Sequence, residues 1–95
     1  DKANATKVVS DMRSLKAATI MVYADYNAWP TDLTSPEIYM DRDLTTNIAT
    51  YDVLSADPNF YIEATVADTA VAAKIDLMDD SGVTKSGDIY IFKVK

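Results

Sequence analysis

Apolar and polar positions sort this chain into an N-terminal segment with helical spacing and a C-terminal half that alternates. Val8, Met12, Leu15, Thr19, Val22 and Tyr26 recur at steps of three and four, which places them on one stripe of a helix. Gly and Pro are absent from residues 1–28 and Ala is frequent, so one long helix is predicted there, ended at Trp29-Pro30 because a residue preceding proline is pushed out of the helical region. A helix of that length measures roughly 40 Å at about 1.5 Å per residue. It should overhang a small domain, and the polar end around Asp1, Lys2, Asn4, Thr6 and Lys7 is expected to project. A second stripe holds Ala3, Ser10, Ser14, Ala17, Met21 and Ala24, small apart from Met21 and without charge. Small residues let another helix approach closely, making these the candidate packing residues; a plain solvent face is the alternative.

Residues 29–50 read as a loop with at most one short helix, opened by Pro36-Glu37, running to Met40 and capped by Ser35. Strands are predicted at Tyr51–Ser55, at Phe60–Val66 after the turn Asp57-Pro58-Asn59, and at Asp88–Val94 after Gly87. Residues 69–79 fit either period; Asp68 as N-cap with Ala70, Ala72, Ala73 and Lys74 favours a short helix, stopped by Asp79-Asp80-Ser81-Gly82. The expectation is a single α+β domain over residues 1–95, a long N-terminal helix packed on a small antiparallel sheet. The Val8–Tyr26 stripe is too short for a coiled-coil seam, so it should pack on that sheet.

Charge and composition narrow the chemistry. Nine Lys and Arg against fifteen Asp and Glu give a net charge of −6, and the cations are scattered, which argues against a nucleic-acid partner. With no Cys and no His there is no disulfide, no zinc site of the usual kind, no Cys nucleophile and no His-based triad. Paired carboxylates lack an orienting neighbour, so an enzyme is not expected, nor a cofactor. Asp76, Asp79, Asp80 and Asp88 could offer oxygen ligands to calcium, but their spacing departs from the Asp-x-Asp-x-Asp-Gly loop, and a solvated turn is favoured. Trp29 with Tyr23, Tyr26 and Tyr39 reads as an aromatic plug between helix and sheet rather than a ligand pocket. The chain opens Asp-Lys-Ala-Asn without Met and has no run of 18 apolar residues; a segment removed upstream is expected.

Three stretches carry a family likeness in their order along the chain. Asp11-Met12-Arg13-Ser14-Leu15-Lys16-Ala17-Ala18 is followed by Tyr23-Ala24-Asp25-Tyr26-Asn27-Ala28-Trp29-Pro30, and then by Ile75-Asp76, Asp79-Asp80-Ser81-Gly82 and Ser86-Gly87-Asp88. In this the chain resembles the globular half of type IV pilins and type II secretion pseudopilins. The resemblance implies a pilin-like fold and a subunit of an extracellular filament at the cell surface, held in the cytoplasmic membrane before assembly. Its partners would be copies of itself or related pilins. It also implies a basic leader and an apolar helical half with an early glutamate, upstream of Asp1. Some major pseudopilins bind calcium near the C-terminus, and many pilins carry a C-terminal disulfide that this chain, lacking Cys, is without. A type II secretion pseudopilin is the alternative within the family, and a small secreted calcium-dependent binding module the alternative outside it. Adhesion, motility, DNA uptake, conduction and secretion use similar subunits, and the sequence does not choose among them.

Overall fold

A computed structural model describes residues 2–44, 47–78, 82–86 and 89–95. It contains α1 (Lys2–Tyr26), α2 (Thr34–Ile38), β1 (Ala49–Ala56), β2 (Asn59–Val66), α3 (Thr69–Asp76), β3 (Val83–Ser86) and β4 (Ile89–Lys93). The four strands form one antiparallel sheet in the order β1-β2-β4-β3. The α+β class with a long N-terminal helix on an antiparallel sheet is therefore what the chain adopts.

Alternation decides which sheet face meets the helix. Register aligns Ala49 with Val66, Tyr51 with Ala64 and Val53 with Ile62, then Ile62 with Phe92 and Ala64 with Tyr90. These residues share one pleat, and most are buried together with Ala5, Val8, Val9, Met12 and Leu15 of α1. Removing side chains such as Leu15 and Ile62 fully from water contributes roughly 1.5–3 kcal/mol each. Thr19, also fully buried, donates its hydroxyl to the Leu15 carbonyl at 2.7 Å, so its burial leaves no orphan polar group.

Several expectations need correction. The helix stops at Tyr26, before Trp29-Pro30, because Asn27 takes a left-handed φ of 54° and its N–H donates to the Tyr23 carbonyl at 2.7 Å, an αL cap. Tyr26 lies on the stripe but is 67% exposed. The N-terminal end does not project as a bare arm: Ala5 and Val8 are fully buried, in the core they share with Val71 and Ile75 of α3. At about 1.5 Å per residue, 25 residues span about 37 Å, which matches the 38 Å long dimension of the domain. Ser35 is not an N-cap; α2 begins two residues earlier than expected, at Thr34 after Leu33, and the Asp32 carboxylate accepts from the Thr34 N–H at 2.9 Å. Strand β3 was not anticipated; its four residues, Val-Thr-Lys-Ser, are too few to alternate recognisably.

Other expectations hold. Asp68 caps α3, its carboxylate accepting from Ala70 N–H at 2.8 Å and Val71 N–H at 3.4 Å. Val71 and Ile75, one turn apart, are that helix's buried residues. The turn expected at Asp79-Asp80-Ser81, and Gly87-Asp88 before the last strand, lie outside the described residues. Gly82 is described, with a φ of 79° that suits glycine.

Candidate assembly face on the long helix

Helix α1 has a buried arc and an exposed arc. The buried arc runs through Ala5, Val8, Val9, Asp11, Met12, Leu15, Ala18, Thr19 and Val22. At 3.6 residues per turn, the opposite arc carries Ala3, Thr6, Ser10, Arg13, Ala17, Ile20, Met21 and Ala24. Of the six candidate packing residues, Ala3, Ser10, Ala17, Met21 and Ala24 are exposed and Ser14 is half-buried. Ile20, 45% exposed, belongs with Met21, 48% exposed, and was missed although it stands three residues from Ala17 and four from Ala24. The last two turns thus present Ala17, Ile20, Met21 and Ala24 to solvent as one apolar strip. The first half of the face is different: an arginine from the loop reaches it.

That arginine is Arg42, and its main partner is an acid inside the core. Asp11 is fully buried on the helix's core side. Arg42 donates from Nη1 to Asp11 Oδ1 at 2.6 Å, and the Tyr51 hydroxyl of β1 donates to Asp11 Oδ2 at 3.0 Å. The second guanidinium nitrogen donates to Ser10 Oγ at 3.1 Å and Ser14 Oγ at 3.4 Å. Helix, loop and first strand are thereby tied at one carboxylate. Burial, and then the charge of Asp11, push the Tyr51 phenol well above the usual tyrosine range. The node was legible in principle, because position 11 falls three residues after Val8 and four before Leu15, on the apolar stripe. Its partners, 31 and 40 residues away, were not.

The aromatic plug forms with different members. Trp29 packs between Tyr23, at 4.3 Å between ring centroids, and Phe60 of β2, at 5.1 Å. Tyr26 stays outside it, and Tyr39 turns away to donate its hydroxyl to Asp25. That bond, with the Asp25 charge, raises the Tyr39 phenol to about 12.

Of the calcium candidates, Asp76 is already engaged. The Tyr90 hydroxyl lies 2.8 Å from Asp76 Oδ1 and 3.0 Å from the Ala72 carbonyl, and Lys85 Nζ stands 3.8 Å from Asp76 Oδ2. Burial and then the Asp76 bond raise the Tyr90 phenol to about 12. Asp79, Asp80 and Asp88 lie outside the described residues, among which no group of three acids is arranged to hold a metal ion. Also among the described residues, no helix is long and apolar enough to cross a membrane, and no buried side-chain nitrogen or oxygen lacks a hydrogen-bond partner.

Comparison with protein-family models, with curated proteins and with solved structures finds no match to this chain.

Proposed function

We propose that this chain is a structural subunit of a type IV pilus-like extracellular filament, in which copies pack through α1. The reading rests on one observation. The helix spans the length of the domain, buries one side completely, and leaves Ala17, Ile20, Met21 and Ala24 uncovered on the other. An apolar strip with two small residues admits a second helix at close range, and a contact between unlike surfaces of two copies suits filament growth. The α+β build and the order of the resembling stretches support the filament reading. Partners are copies of the chain or related pilins. The site of action is the cell surface, with membrane insertion before assembly through a segment upstream of Asp1. A type II secretion pseudopilin is the neighbouring reading, and the same helix face would serve it.

The test is Ala17→Glu in the protein as its gene encodes it. Ala17 is exposed, so the domain's stability should stay within about 0.5 kcal/mol of wild type, while filaments seen by electron microscopy are lost. Normal filaments from a folded Ala17→Glu subunit would sink the assignment of this face. The coding sequence upstream of Asp1 supplies an independent check. A basic leader ending in Gly, then an early Glu within an apolar stretch, is expected; an ordinary cleaved signal peptide there would overturn the filament reading.

A further inference from the structure

Charge along the chain is divided in a way that the packing strip alone does not explain. Along α1 stand Lys2, Lys7, Arg13 and Lys16 against two carboxylates, Asp11, buried against Arg42, and Asp25, which accepts from the Tyr39 hydroxyl. From Asp32 to Asp57 the balance reverses: six carboxylates stand against one cation, Arg42, which is bonded to Asp11. The acidic loop and the cations Arg13 and Lys16 lie on opposite flanks of α1, whereas Lys7, three residues before Ser10 and four before Asp11, shares the flank that Arg42 meets. Arg42 meets the helix at Ser10, Asp11 and Ser14, which brings Glu37, Asp41 and Asp43, all exposed, along that flank. Arg13, Lys16 and Ile20, spaced three and four apart, share the other flank, where the Lys16 ammonium passes 4.9 Å from the Phe92 ring of β4.

From this we infer that the helix face docks on a second copy of this chain, the cationic flank at Arg13 and Lys16 facing the acidic segment 37–43 of the neighbour, with Ala17, Ile20 and Met21 packed between. The inference rests on the filament reading and adds to it the second surface and the direction of the contact. Opposite charges on opposite flanks of one molecule favour side-by-side addition in one sense and oppose the two-fold pairing that would bring like flanks together. Such a contact leaves each copy with one unused surface of each kind, so further copies can add.

The experiment uses two charge-reversed chains, Arg13→Glu/Lys16→Glu and Asp41→Lys/Asp43→Lys, each checked for folding by Trp29 fluorescence. Self-association is followed by concentration-dependent amide shifts in 15N-labelled chain, which report contacts of millimolar strength. Wild type should show shifts at Arg13–Ala24 and at residues 37–43 that shrink as salt shortens the screening length from about 30 Å to about 3 Å. Each variant alone should associate about tenfold more weakly, as expected for two exposed pairs turned repulsive. An equimolar mixture should recover the wild-type shifts, since each partner then offers the charge that the other lacks. Two variants that fail alone and succeed together cannot owe their failure to misfolding. Unchanged association in the variants, no recovery in the mixture, or shifts confined to other surfaces would overturn the inference. Filaments of normal yield from the charge-reversed gene products would overturn it while leaving the filament reading intact, whereas loss of that reading requires the Ala17→Glu or leader result.

Discussion

Replacing Arg42 by Met tests whether the buried carboxylate of Asp11 depends on the guanidinium beside it. The substitution keeps the aliphatic stem but takes the guanidinium away from a fully buried carboxylate, to which the Tyr51 hydroxyl of β1 still donates. Breaking a buried ion pair from one side costs about 3–5 kcal/mol, because the remaining charge is stranded. Here the guanidinium end opens to water, the Arg42 side chain being 41% exposed, so water can reach Asp11 in part and the loss is nearer to about 2 kcal/mol. A domain of this size has roughly 5–10 kcal/mol in all, and the Tm should fall by about 8–16 °C. Urea unfolding followed by Trp29 is the assay, since the chain's only tryptophan sits between the Tyr23 and Phe60 rings and loses both on unfolding. The midpoint should drop with the slope unchanged. The decisive arm is the double variant Asp11→Asn/Arg42→Met. Removing the stranded charge should restore about 1 kcal/mol relative to Arg42→Met alone, a recovery that additive losses do not produce. An Arg42→Met variant within about 0.5 kcal/mol of wild type, or a double variant less stable than the single, would refute the reasoning.

Two other perturbations have signs that follow directly from geometry. Gly82→Ala places a methyl group within 2.9 Å of the Phe92 ring at a φ of 79°, so strain and overlap should together cost about 1–3 kcal/mol in urea unfolding; a neutral result would show that the turn relaxes freely. Alkaline pH should unfold the domain: unfolded tyrosines ionise near pH 10, whereas the phenol of Tyr90 is raised to about 12 and that of Tyr51 is raised as well. The protonated forms are the ones the fold favours, so their stabilisation is complete below pH about 10 and is lost as pH climbs toward the folded values, at roughly 1.4 kcal/mol per unit for each tyrosine. If phenolate absorbance from all six tyrosines rose near pH 10 in a domain that stayed folded, that account would fail.

Much of the fold is written locally. Val8, Met12, Leu15, Thr19 and Val22 recur with helical period, and a helix that long needs only one apolar side and freedom from Gly and Pro to form. Asp68 capped α3 as expected because a carboxylate one residue before a helix finds the free N–H groups without help from distant parts of the chain. The strand Phe60–Val66 was visible because a half-buried strand alternates, and every second residue from Phe60 onward is buried. Where local signals competed, the reading slipped. Asn27 ended the helix ahead of the proline, and Val83–Ser86 became a strand only because β4 offered it an edge.

Sequence alone determined the class of the protein: a long amphipathic helix, alternating strands, a net negative charge and no Cys or His chemistry, all properties of residue type and spacing. Tertiary structure decided which polar residue the core would accept and which part of the helix would remain bare. Asp11 sits in the core with Arg42 and Tyr51 arriving from 31 and 40 residues away to bond its two oxygens, and no local pattern encodes that meeting. The same loop lays its arginine over Ser10 and Ser14 and stops there, leaving Ala17, Ile20, Met21 and Ala24 open. A helix has one periodicity but two sides, and which side meets solvent depends on what else the chain brings to it.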